Sequence, residues 1–418
     1  MISVYRNVVQ MLKGIILSVE DTILPQGKPD NAIFENITKL ITYFKSQSLG
    51  FVVLTNREWK FNDNNKTSLE TMLKSKWGEF NYYCSAQNSQ IPSKPKADAI
   101  NYVLNAMGWK DTEAIYIGAS ENDMRTAVNG GLLFLKATWW SNKTNYGFEF
   151  DTPKDIARFI DVFCLREHFW CHEIKEGSFD YYSLAPFSTM KPEYTLYSTD
   201  ARETAKYGRG HPEFWISAII TSLYFSGVHK KIDYICVYPG HQTGDTKNVM
   251  DEAISIFGKC FRKNYIPDLI QRHTTAIKSQ TARNNNMQIC HLNQLNTICL
   301  QPKPMKNNTE RYKKSPLKHG KRVLLIDDIC TRGYSIESGR AYLEKTGAKV
   351  VMVTWLKTIN TDIQMLDDIG DFDPYSVNTF STAPVKKIIS YSNNMVNHLA
   401  PQELQAQFQA YHNWEWKP

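Results

Sequence analysis

Nowhere does this chain carry a run of about eighteen apolar residues, so no bilayer-crossing helix is expected. The N-terminus lacks the small-residue cleavage site of an export signal; Arg6 and Lys13 flank a mixed segment. The expectation is a soluble, unexported, cytoplasmic protein with no membrane partner. No Cys-x-x-Cys pair occurs among the eight cysteines, which reads as scattered reduced thiols and not a disulfide framework. Acids are scarce in one long stretch. From Lys259 to Arg322 there are fourteen Lys or Arg residues against Asp268 and Glu310 alone. Within a modest net charge of +7, that patch suits polyphosphates, nucleotides or nucleic acid, with a solvated basic surface as the plain alternative.

What is present is ordinary globular material. The 418 residues, 42% hydrophobic, are enough for two or three domains. Val323 to Ile326 is a branched apolar run without polar alternation, as in a strand buried on both faces of a parallel sheet. It ends on Asp327 and Asp328. Thr331, Arg332, Gly333, Tyr334 and Ser335 form a polar turn, and helical spacing follows to Lys345. A strand, a small turn and a helix N-terminus make an anion cradle, because the first helical N–H groups lack partners and the dipole is positive there. Two acids in front of a cradle fit a phosphate with hydroxyls nearby, as in ribose 5-phosphate.

This segment resembles the phosphoribosyl pyrophosphate (PRPP) motif of type I phosphoribosyltransferases. The resemblance implies that Asp327 and Asp328 are catalytic residues holding the ribose hydroxyls, and that Thr331 through Ser335 wrap the 5′-phosphate. Arg332 and Ser335 stand where the family commonly has Thr. The strand Lys231 to Tyr238 ends on Pro239-Gly240-His241, by resemblance the pyrophosphate loop. The series from Arg272 through Lys278 to Arg283 is similar to that of ComF-like members, linked to DNA uptake, and those three cations are the implied pyrophosphate neutralisers. Magnesium would come mainly with PRPP. The polar, proline-bearing Gln301 to Gly320 is expected as a mobile loop over the site.

Residues 10 to 150 alternate strands and helices. Gly14 to Ser18, Phe51 to Leu54 and Ala114 to Ile117 read as buried strands; Asp30 to Ser48 and the segment after Lys94 read as helices. The loop order resembles the haloacid dehalogenase-like (HAD) phosphohydrolases, with Thr22, Thr55, Lys94, Gly118 and Asp123 at matching positions. Ser18 occupies the nucleophilic Asp position, Glu20 the general acid position and Ala119 that of a metal-binding carboxylate. A phosphoaspartyl route needs a carboxylate nucleophile and hard oxygen ligands for magnesium. The expectation is therefore a domain that does not hydrolyse phosphate esters. It either binds a phosphorylated ligand through Thr55 and Lys94 or serves as a docking and dimerisation module.

The expected class is α/β with two doubly wound parallel-sheet domains. The HAD-like Rossmannoid covers 1–150, a connecting helix 151–174, the phosphoribosyltransferase fold 175–390, and a C-terminal helix and tail 391–418. Within the connection, Cys164, His168 and Cys171 share helical spacing and His172 follows. A zinc site there is the minor reading, junction packing the main one, and no metal ligand is assigned. A fused pair of this kind looks like biosynthetic enzymes of tellurite-resistance-type bacterial stress operons. Expected partners are PRPP and a heterocyclic acceptor, with nucleic acid, an operon-encoded protein and a homo-oligomer left open.

Overall fold

The computed structural model describes residues 11–25, 30–61, 66–142, 148–243, 249–277, 290–392 and 397–416. The first half holds a six-stranded sheet in the order β3-β2-β1-β4-β5-β6, parallel throughout. Its strands are β1 (Gly14–Ser18), β2 (Gly50–Thr55), β3 (Asn81–Cys84), β4 (Ala114–Gly118), β5 (Leu133–Ala137) and β6 (Phe148–Phe150). Every residue of β1, β4 and β5 is buried, which explains their unbroken apolar runs. The first helix, Asn31–Ser46, starts where expected because the Asp30 carboxylate accepts from the Ala32 and Ile33 N–H groups.

The second half is built on β7 (His172–Glu176), β8 (Phe179–Phe187), β9 (Tyr234–Val237), β10 (Asn264–Tyr265), β15 (Arg322–Cys330) and β16 (Lys349–Thr358), in the order β10-β9-β15-β16-β8-β7. Five strands run parallel. The outermost, β7, is antiparallel to β8, so the expected all-parallel sheet is corrected to a mixed one. Gly177, at φ 59, sits in the two-residue loop that turns the chain back. Small antiparallel pairs flank the sheet: β11 (Ile270–Arg272) with β12 (Ile298–Leu300), β13 (Met305–Lys306) with β14 (Glu310–Arg311), and β17 (Ile363–Leu366) with β18 (Val385–Ile389).

Two further expectations change. The connecting helix is Pro153–Phe159, continued as a wide turn over Ile160–Cys164, and does not reach His172. Glu403, from the far end of the chain, accepts from the N–H groups of Glu167 and His168 at 2.8 and 3.0 Å and holds that stretch non-helical. Gln301 to Gly320 contains the β13–β14 hairpin, tied down by Asp268 to the Met305 N–H and the Arg311 guanidinium. It bonds Tyr265 through Asn307, at the start of the β9–β10 pair and so at the opposite end of the sheet from Asp327. It does not cover the site.

The halves share one apolar core. The helix Pro212–Phe225 is buried from Phe214 to its end, as an all-round apolar helix must be. It packs on β8, and its Tyr224 hydroxyl lies 2.6 Å from the carbonyl oxygens of both Asp111 and Ala114. Trp414 folds back onto the first half: its indole N–H donates to Asp161 at 2.9 Å and its ring meets Tyr43 edge-on.

Candidate functional site

Two constellations stand at the C-terminal ends of parallel strands, where loops of doubly wound sheets carry function. In the second half, Tyr238 N–H donates to the Ile326 carbonyl at 2.8 Å, bringing the end of β9 beside the end of β15. Pro239-Gly240-His241 thus lies next to Asp327. Strand alternation sends Asp327 toward Arg272 and Asp328 toward Lys206. Burial and then the charge of Asp328 hold the Asp327 carboxyl well above the usual carboxylate range. Asp328 is raised by burial too, with the Ile329 N–H and Lys206 opposing. Among the described residues neither acid forms an ion pair, and Arg272 and Lys206 act on them only through their charge.

Arg272 is placed differently from expectation. Only 6% exposed, it donates to the Pro239 and Gly240 carbonyls, Gln294 and Thr297, and lies over the Tyr238 ring. Its donors are engaged inward, so it braces the 239–241 loop instead of facing a ligand. The next segment closes on the same loop through Ala276 N–H to the His241 carbonyl at 2.9 Å. Lys278 and Arg283 lie outside the described residues.

The bend after β15 opens a helix, Tyr334–Glu344, with Gly333 at φ 83 as its N-cap. A Cβ there would come 2.9 Å from an Ile363 methyl, so both space and conformation require glycine. The N–H groups of Gly333, Tyr334 and Ser335 have no acceptor among the described residues. Thr331 and Arg332 are exposed; Tyr334 and Ser335 are half-buried. The Thr331 hydroxyl meets that of Thr358 at 3.0 Å, and Tyr334 is steadied by Gln364 and edge-on by His291. Neither of two cavities elsewhere includes the acid pair. One, about 430 Å³, lies between the halves, lined by Pro95, Arg125, Lys259 and Arg262; the other is water-sized, beside His172, Lys357 and Tyr391.

In the first half, Lys94 reaches the end of β1. Its ammonium donates to the Ser18 hydroxyl at 3.0 Å and to Asp123 Oδ1 at 2.7 Å. Tyr116 donates to the same oxygen at 3.0 Å, while Oδ2 accepts from the Ser120 hydroxyl and the N–H groups of Ala119 and Ser120. These bonds hold the Asp123 carboxyl below the usual range against the cost of burial. Glu20 pairs with Arg57 at 2.9 Å, Thr22 donates to the Glu20 carbonyl, and the Thr55 hydroxyl is held by Arg57 and Trp59.

The family model described as haloacid dehalogenase-like hydrolase matches residues 14–137. Residues 14–137 are a HAD-like domain. Among solved structures, a HAD-superfamily hydrolase of subfamily IA, variant 1, from Geobacter sulfurreducens PCA is 16% identical, covering 36% of this chain and 99% of its own, with a TM-score of 0.27. One from Ehrlichia chaffeensis is 13% identical, covering 37% and 98%, also at 0.27. No curated protein matches the chain.

The HAD-like site does not fit magnesium. Asp123 has both oxygens taken, Ser18 and Ala119 offer no carboxylate, and Glu20 is engaged by Arg57. The expected phosphate contacts of Thr55 and Lys94 are corrected likewise: they are 1% and 5% exposed and already bonded. Cys164, His168, Cys171 and His172 share no helix face. His168 meets Glu403, His172 meets Ser183, and among the described residues no three His, Cys, Asp or Glu are gathered to hold a cation. Sequence reasoning passed over Lys206 and Lys357. The second had a signal, a lone lysine ending the apolar run Val350 to Leu356.

Proposed function

We propose that the second half of the chain binds PRPP and transfers its ribose 5-phosphate to a heterocyclic acceptor, releasing pyrophosphate. The observation that carries this reading is a half-buried carboxylate pair that forms no ion pair among the described residues, one bend ahead of a helix N-terminus whose N–H groups have no acceptor among them either. Such a pair suits donors that relieve its crowding, namely the two ribose hydroxyls. The bend Thr331 to Ser335 takes the 5′-phosphate on backbone N–H groups, the Thr331 and Ser335 hydroxyls and Arg332.

Departure of pyrophosphate leaves positive charge on the ribose ring, which Asp327 and Asp328 stabilise while holding it in line with the acceptor. The loop Pro239-Gly240-His241, stiffened by Arg272, faces the leaving group. Magnesium carried on the ligand's own oxygens would neutralise the departing charge; the acid pair, with hard oxygens and no ion pair among the described residues, fits it as a neighbour.

A second reading is a regulator that binds PRPP without turnover, favoured by the HAD-like half, which keeps its fold while its site is filled by its own side chains. Mass spectrometry of cell extract incubated with protein, PRPP and magnesium separates them. A new ribosylated product with pyrophosphate release is expected. PRPP binding without product favours the regulator, and salt-dependent DNA binding without pyrophosphate release favours a nucleic-acid role for Lys259 to Arg322.

A further inference from the structure

Lys357 closes β16 directly beneath the phosphate bend, and it is 2% exposed. A buried ammonium normally meets a carboxylate, because taking a lone charge out of water is costly. Lys357 has none among the described residues. Its Nζ donates to the carbonyls of Thr331 (2.6 Å), Thr358 (3.1 Å) and Thr361 and to the Thr361 hydroxyl (2.7 Å), and it lies 5.5 Å from the centre of the Tyr391 ring. All of these are neutral. Three of the four acceptors are carbonyls, and one belongs to the first residue of the bend.

Among the described residues no carboxylate bonds to this ammonium, and Asp362 acts on it only through its charge, while the open side of the bend offers N–H groups without acceptors among the described residues. The Thr331 carbonyl accepts from both Lys357 and the Thr361 hydroxyl, the latter at 3.0 Å. Drawing on that oxygen polarises the Thr331–Arg332 peptide and strengthens its N–H as a donor. We infer that Lys357 is a positioning residue for phosphate recognition: it fixes the bend from behind and supplies the positive charge that a bound phosphate dianion completes. The inference rests on the phosphoribosyl reading and deepens it, assigning part of the affinity to a residue that touches no ligand atom. The charged or titratable groups around Lys357 are Cys330, Asp362, Arg332, His172 and Tyr391. Burial sets its pKa below the ordinary lysine value.

The test is calorimetric titration of the full chain with ribose 5-phosphate. Lys357→Met should weaken binding about tenfold, the scale of one charge-assisted hydrogen bond. Wild-type affinity should fall as pH climbs toward the ordinary lysine value of about 10.4, since a lysine with a lowered pKa loses its proton before that value is reached, and the variant's should stay flat. A merely structural role would leave the two pH profiles parallel. Should Lys357→Met fail to fold, Thr361→Val, which removes one of the two groups bonded to the Thr331 carbonyl, is expected to cost several-fold in affinity. Wild-type affinity and pH profile in the folded variants overturns the inference alone. A wild-type chain that ignores both ribose 5-phosphate and PRPP overturns the phosphoribosyl reading with it.

Discussion

Lys94 Nζ lies 2.7 Å from Asp123 Oδ1 with the two side chains 2% and 0% exposed. In the HAD-like domain this ion pair stands at the end of β1, with Lys94 also donating to the Ser18 hydroxyl. Breaking it leaves one buried charge alone, so Asp123→Asn and Lys94→Met should each destabilise the chain by about 4 kcal/mol in urea unfolding. Because the folded-state pKa of Asp123 is depressed, its contribution is complete above the unfolded carboxylate value of about 3.9 and fades as pH falls through the lower folded value. Acid titrations of wild type and Asp123→Asn should converge below that range.

Phosphatase activity should be absent. With Ser18 at the nucleophile position and Asp123 occupied, p-nitrophenyl phosphate and magnesium should give no turnover above blank. Adding a single carboxylate by Ala119→Asp should not create any, since Ser18 remains. Robust magnesium-dependent hydrolysis by the wild-type chain would refute this.

The acid pair should trade stability for binding. Asp327 and Asp328 carry raised pKa values, so folding takes up protons there and the folded state weakens as pH climbs from the ordinary carboxylate value through the raised ones. Asp327→Asn removes one of two crowded charges. It should raise the melting temperature by a few degrees, on the order of 2–4 °C per kcal/mol, while weakening PRPP binding. A lower melting temperature would show that the carboxylate is needed for the fold.

Trp414 fastens the C-terminal tail to the HAD-like half through Asp161 and Tyr43. Trp414→Ala should cost about 3 kcal/mol by loss of a buried ring. Trp414→Phe keeps most of the packing, loses one hydrogen bond and should cost about 1 kcal/mol. Equal losses would mean that the indole N–H outweighs the ring.

Strands such as Gly14–Ser18 and Ala114–Gly118 were legible because burial on both faces writes itself as an apolar run. The paired acids and the Gly333 turn were legible because the bend's chemistry is local. What escaped reading depends on distant partners. Glu403 holds the backbone at Glu167 and His168, more than 230 residues earlier, and Asp268 pins a polar stretch into a hairpin. Lys94 could be placed in sequence, yet only the fold shows its charge spent on Asp123 and not on a ligand. Arg272 looked like an anion contact because the sequence cannot tell an arginine facing inward from one facing solvent.

Calorimetric titration with PRPP and magnesium tests the central claim most directly. The wild-type chain should bind, and the folded double variant Asp327→Ala with Asp328→Ala should show no heat of binding. Unchanged affinity in the double variant would contradict the assignment of the β15 terminus as the ribose grip.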